Sequence, residues 1–298
     1  MPLMMLVVLL LYLIAISTLM TPASPALDTF VYGGCSQLKY IPGSPYEANL
    51  NSLLTSLVNS AIAGTTYNNF TSDSASPSSS PQDTVYGVFQ CRGDLSADQC
   101  SRCVSRSISQ VGTLCSGACG GAWQLEGCFV KYDNSTFLGV EDKTEVVKKC
   151  GPPAGYDSDS LTRRDAVLGF IAAGGGDTPK AYRVGWSGNM EAYGQCVQDM
   201  TEGQCGDCLN EAIGRVKSEC GAAKWGGVYL GKCYVRYSEG GDQSRSQPAG
   251  GRSSSGTGNN DNEIEKTLAI LIGIIAAVAL VIVFIYKSCE EAKGGGGK

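Results

Sequence analysis

The chain has 298 residues, 14 cysteines, no histidine and a formal net charge of −5. That length accommodates two ordinary domains plus termini, and the cysteine count suits a disulfide framework in an oxidising compartment. The missing histidine removes the commonest general base and metal ligand, and the acidic balance without a long basic run argues against a nucleic-acid partner held through its phosphates.

In chain order, residues 1–26 read as a secretory signal. Leu6 to Ile16 is an apolar core, and Ser24-Pro25-Ala26 offers small residues for cleavage before Leu27. No Lys or Arg precedes that core, so an uncleaved anchor is the alternative. From Tyr46 to Ile62, Tyr46, Leu50, Leu53, Leu54, Leu57, Val58, Ala61 and Ile62 recur at helical spacing and predict a long helix with one apolar face. Ser72 to Pro81 is Ser/Pro-rich and predicts a loop; Thr84 to Gln90 predicts a strand delivering Cys91. Ser96 and Gln99 form a capping-box pattern that starts a short helix, with Cys100 and Cys103 sharing one face of its first turns. Cys128, Val130 and Tyr132 alternate as a strand.

The pattern then repeats. Cys91, Cys100, Cys103, Cys115 and Cys128 have the same successive spacings (9, 3, 12 and 13) as Cys196, Cys205, Cys208, Cys220 and Cys233. One more cysteine precedes each set, Cys35 and Cys150. Thr201 and Gln204 restate the capping box, and Cys233, Val235 and Tyr237 restate the strand. A long helix from about Ser160, carrying Leu161, Val167, Leu168, Phe170 and Ile171, restates the first. The fold class is therefore α+β: two tandem disulfide-stapled domains, residues 27–140 and 145–238, each an antiparallel sheet with one long and one short helix. Residues 239–266 are Gly/Ser/Asn-rich and predict a flexible stalk. Residues 267–286 carry no charge and are long enough for a single transmembrane helix, leaving 287–298 as a short cytoplasmic tail.

Three readings of the Cys-x-x-Cys pairs are open. Zinc would want two pairs close together, and here they lie in separate repeats. A redox pair would normally sit in a βαβ unit. Structural bridges are the remaining reading and the one adopted; six cysteines per repeat allow 15 pairings, which spacing does not resolve. Neither catalytic residues, a metal site nor a cofactor is expected. Cys119 has no counterpart in the second repeat, where Lys224 stands, and leaves an odd count outside the membrane. It is either a buried free thiol, the expectation here, or an intermolecular thiol that makes a homo-oligomer or a partner link. Cys289, just inside the span, is a palmitoylation candidate. Ala269, Gly273 and Ala277 form a small-residue face for helix dimerisation. Asn69 and Asn134 head glycosylation sequons expected in loops or at strand ends.

The C-x8-C-x2-C pattern with its following cysteines resembles the plant cysteine-rich repeat of ginkbilobin-like antifungal proteins. Two repeats, a stalk, one span and a very short tail resemble the plasmodesmata-located proteins. That resemblance implies the pairing Cys35–Cys115, Cys91–Cys100 and Cys103–Cys128, and in the second repeat Cys150–Cys220, Cys196–Cys205 and Cys208–Cys233. It also implies a non-enzymatic cell-junction protein of the plant cell membrane. Such a protein modulates cell-to-cell transport through callose deposition and docks viral movement tubules; its partners would be wall components or membrane proteins at plasmodesmata. The alternative is a surface recognition module for wall glycan or fungal ligands that works with a co-receptor kinase in defence. The mannose-binding positions of ginkbilobin-like members fall on Ser36, Ala122 and Asp133, and on Gly151, Gly227 and Ser238. Five of the six lack the Asn, Arg or Glu group that the resemblance implies there and the sixth, Asp133, keeps only a carboxylate, so that mode of mannose binding is expected to be absent. Trp123, Trp186 and Trp225 offer rings for stacking on other sugars, with core packing the expectation for each.

Overall fold

The computed structural model describes residues 27–73, 83–153, 155, 157–175 and 180–240. The signal sequence, most of the Ser72–Pro81 loop, the stalk beyond Gly240, the span, the tail, Cys289 and the Ala269/Gly273/Ala277 face lie outside these residues. Among the described residues no helix is long and apolar enough to cross a membrane.

The first repeat runs β1 (Phe30–Cys35), α1 (Pro45–Ile62), β2 (Tyr67–Ser72), β3 (Val85–Cys91), α2 (Ala97–Leu114), β4 (Gly120–Leu125) and β5 (Cys128–Asp133). The second runs β6 (Glu145–Cys150), α3 (Ser158–Ala172), β7 (Tyr182–Ser187), β8 (Met190–Cys196), α4 (Glu202–Cys220), β9 (Trp225–Leu230) and β10 (Cys233–Glu239). Each repeat is one five-stranded sheet, ordered β1-β4-β5-β3-β2 and β6-β9-β10-β8-β7. Every pairing is antiparallel. β10 runs one residue into the predicted stalk, because Glu239 N donates to the Lys224 carbonyl at 2.9 Å.

Local chemistry explains the helix starts. Ser44 accepts from Glu47 N, Pro45 stands in the first turn, and Glu47 reaches back to Gly43 N at 2.6 Å. α2 and α4 each open on a complete capping box, Ser96/Gln99 and Thr201/Gln204. The expectation of one long and one short helix per repeat is corrected. α1 and α2 have 18 residues each, and α4 has 19 against 15 in α3. α2 continues because a narrow stripe of Cys100, Cys103, Val104, Ser107 and Val111 keeps one face buried through polar sequence.

Both helices of a repeat cover the same face of its sheet. In the first repeat Leu53, Leu57, Phe89, Val104 and Val130 meet there, each at most 1% exposed. Burying one such side chain contributes roughly 1.5–3 kcal/mol. The approach is close: a Cβ on Gly87 would stand 2.3 Å from Leu53 Cδ2. Two residues of the predicted stripes are exposed instead. Ile62, 65% exposed, sits on the last turn of α1 beyond the sheet. Phe170 is 43% exposed because it overhangs the edge strand β7 at Gly185.

Candidate functional site

Cys91 ends β3, while Cys100 and Cys103 lie on the first turns of α2, so each helix start is tied to two strands. The bridges are Cys35–Cys115, Cys91–Cys100, Cys103–Cys128, Cys150–Cys220, Cys196–Cys205 and Cys208–Cys233, with Cα separations of 5.3, 5.6, 6.0, 5.3, 5.7 and 6.1 Å. These are the pairs the family resemblance implies. Among the described residues, no group of three or more His, Cys, Asp or Glu is placed to hold a metal ion.

Cys119 is the unbridged cysteine of the described residues and is 6% exposed. Tyr46 Oη donates to its carbonyl at 2.6 Å. Burial pushes the thiol up, Asp133 adds to that and Lys39 opposes it, so at neutral pH the sulfur is a protonated, enclosed thiol. A link to another chain would require this strand entry to open.

Of the mannose-position residues in the first repeat, Ser36 and Asp133 come together over Gly120, where an added Cβ would stand 3.3 Å from Ser36 Cβ and 2.8 Å from Asp133 Oδ2. In the first repeat Asp133 Oδ1 accepts from Ser135 N and Oγ at 2.9 and 2.7 Å. Ala122 pairs with Lys131 further along the sheet. In the second repeat Trp225 occupies the place. A Cβ on Gly151 would lie 2.4 Å from its Nε1, so no larger side chain fits at 151 without moving the indole. Trp123 follows the core-packing expectation at 8% exposed, with Nε1 donating to Gln110 at 2.8 Å. Trp186 and Trp225 depart from it, at 61% and 39% exposed, because both point away from the helices and neither belongs to a buried cluster on that face. Asn69 is the third residue of β2 rather than a loop residue; its Nδ2 donates to Tyr67 Oη at 2.6 Å. Asn134 follows the end of β5.

Sequence reasoning missed the seam between repeats. The sheet faces turned away from the helices pack on each other, so Val88, Phe129, Phe137 and Val197 form a third core cluster. Tyr32 and Tyr229 meet edge to face at 6.0 Å, and Tyr229 stacks on Tyr234 at 5.1 Å. Gln195 Nε2 donates to the Cys91 carbonyl at 2.8 Å, Gln198 N donates to Gln90 Oε1 at 3.2 Å, and Arg236 pairs with Glu126. Burial pushes Tyr234 and Tyr32 up, with Arg92 opposing at Tyr234. The residual cavity, lined by Gln90, Gln124, Gln195 and Tyr234, is about 20 Å³, room for one water. The available signal was strands apolar on both faces, as in Val85-Tyr86-Gly87-Val88-Phe89.

A salt stress response/antifungal domain model matches residues 34–135 and 161–240. Plasmodesmata-located protein 6 of Arabidopsis thaliana is 57% identical over 290 residues, 96% of this chain and 97% of that protein. The chain belongs to the plasmodesmata-located protein family. Plasmodesmata-located protein 7 of the same plant is 52% identical across 89% of this chain and 84% of its own length. The crystal structure of the tandem DUF26 ectodomain of the Arabidopsis thaliana cysteine-rich receptor-like protein PDLP5 matches with a TM-score of 0.65 at 49% identity. It covers 72% of this chain and all of that one. That solved relative is described as receptor-like, and the described residues here share its tandem arrangement as two disulfide-stapled antiparallel sheets.

Proposed function

We propose that this protein is a non-enzymatic type I membrane protein of plasmodesmata that modulates cell-to-cell transport. The observation that carries the reading is the 57% identity to a plasmodesmata-located protein along 96% of the chain. In this reading residues 1–26 are removed on export, the two repeats face the wall, and 267–286 span the membrane. Residues 287–298 face the cytoplasm, with Cys289 palmitoylated and Ala269, Gly273 and Ala277 bringing two spans together. Asn69 and Asn134 carry glycans. The repeats contact wall components or membrane proteins, and the effect on transport runs through callose deposition; the same exposed body offers a dock for viral movement tubules.

The test is imaging of the protein tagged after Lys298, at near-native dose in plant epidermis, beside a callose stain. Puncta paired across shared walls and coincident with callose are expected. An even outline around the cell would overturn the reading and move the weight to a surface recognition module acting with a co-receptor kinase.

A further inference from the structure

The face of the second sheet turned away from its helices, which is also the face that enters the seam, carries a feature that the first lacks. β9, β10, β8 and β7 are neighbours in that order. Their registers set Trp225 opposite Ser238, Ser238 opposite Glu191, and Glu191 opposite Trp186. Residues directly opposite in antiparallel strands point to the same side. The adjacent Gly226 and Gly185 face the helices, where an added Cβ would meet Cys220 and Phe170. The four residues therefore form one row on the face turned away from the helices, with its end Cα atoms about 14 Å apart at three strand spacings.

The row has two exposed indoles at its ends, Trp186 at 61% and Trp225 at 39%. Trp225 lies flat on Gly151, whose Cβ, if present, would stand 2.4, 2.6 and 2.7 Å from three ring atoms. The indole is thus packed against backbone on one side while the residue stays 39% exposed. Between the rings are the Glu191 side chain, 6% exposed, and Ser238 Oγ, which is buried with no hydrogen-bond partner among the described residues. The same row of the first sheet reads Gly120, Asp133, Tyr86 and Thr71, without an indole.

Indole faces are negative quadrupoles that attract the C–H faces of a sugar ring. A buried hydroxyl without a partner gains from a hydrogen bond supplied by a ligand. A carboxylate disfavours a second negative charge beside it. We propose that this row binds a linear neutral oligosaccharide, its pyranose faces on Trp225 and Trp186 and its hydroxyls over Ser238 and Glu191. The mode differs from the mannose arrangement of the repeat, because the Trp225 indole covers Gly151. The inference deepens the wall-contact part of the proposed function and rests on the repeats facing the wall.

The experiment is calorimetric titration of the full-length protein in detergent micelles with four probes: the hexamers of β-1,4-glucose, β-1,3-glucose and β-1,4-mannose, and the hexamer of galacturonic acid. Saturable binding of at least one neutral hexamer is expected, with none of the galacturonate. Trp186→Ala and Trp225→Ala should each weaken binding roughly tenfold, the double variant should abolish it, and Trp123→Phe should leave it unchanged. Should Trp225→Ala fail to fold, Trp186→Ala and Glu191→Gln carry the comparison, both expected to weaken binding. No saturable binding of any neutral hexamer, binding of the galacturonate alone, or undiminished binding in Trp186→Ala would overturn the proposal. Punctate localisation with no sugar binding would overturn this inference alone; sugar binding with an even outline would overturn the plasmodesmal reading alone.

Discussion

Asp199→Ala should strike the fold where the second repeat holds the chain arriving from the first. Asp199 and Lys232 form an ion pair whose side chains are 4% and 1% exposed. Asp199 Oδ2 also accepts from Gly139 N at 3.0 Å, and Lys232 Nζ lies 5.1 Å from the Phe137 ring centre. Removing the carboxylate strands an ammonium in the seam, which costs about 3–5 kcal/mol, whereas replacing both partners with apolar residues costs far less. For a body of this size that loss lowers the thermal midpoint by roughly 6–20 °C. Burial already pushes Lys232 down and Asp199 pulls it part of the way back; without Asp199 it falls further. Between that lowered value and the ordinary 10.5, the unfolded chain binds more protons than the folded one, so stability rises with pH. The deficit of Asp199→Ala should therefore be largest at neutral pH and shrink as pH rises toward 10.5. Urea unfolding at two pH values, with Asp199→Leu/Lys232→Met as the comparison, reads all of this. A loss below about 1 kcal/mol, or a deficit indifferent to pH, would refute the reasoning.

The bridges should differ in worth by the loops they close. Replacing Cys35 and Cys115 by Ala, separation 80, should cost about 4.5 kcal/mol on the chain-entropy scale. Replacing Cys91 and Cys100, separation 9, should cost about 2.6 kcal/mol, so equal midpoint shifts in calorimetry would count against a loop-entropy origin. In a Cys289→Ser background, Cys119 should resist a maleimide reagent until denaturant is added, and Cys119→Ser should leave non-reducing gel mobility unchanged; fast labelling of the native Cys289→Ser protein would contradict the enclosure of Cys119. Burial raises Tyr132 from 10.0 to about 12, so the stability it contributes is complete below 10 and is lost as pH rises through about 12. Tyrosinate absorbance should lag in the folded protein and jump as it unfolds; a single early titration of all tyrosines would exclude this. Gly151→Asn should destabilise the second repeat by pressing on Trp225, and should not create mannose binding; a stable, mannose-binding variant would overturn the packing described there.

Much of this architecture is legible from residue types alone. Tyr46, Leu50, Leu53, Leu57 and Ala61 announce α1 because 3.6-residue periodicity survives in the sequence, and Ser96/Gln99 and Thr201/Gln204 announce two helix starts because capping is local chemistry. The length of α2 was hidden. Its buried stripe includes Ser107, whose hydroxyl lies 3.3 Å from Cys128 Sγ, and Arg164 does similar work in α3 by donating to the Gly221 carbonyl. Polar residues that satisfy themselves inside a core look like surface in a hydrophobic pattern. The fates of Trp186 and Trp225 were also beyond reach, since which face of a strand turns outward depends on register across four strands. The seam was missed for a related reason: its ion pairs join Glu126 to Arg236, 110 residues away, and nothing local marks such partners.

The seam also bears on how this chain could have come to differ from half to half. Two like sheets packed back to back form the arrangement of a symmetric dimer, but here one polypeptide supplies both halves. A true homodimer must place the same residue at both copies of every position. A fused one is released from that constraint, so Gly120 can stay small in one half while Trp225 fills the corresponding place in the other. Disulfides and seam contacts hold the shared frame, and the corresponding surfaces are left to specialise separately.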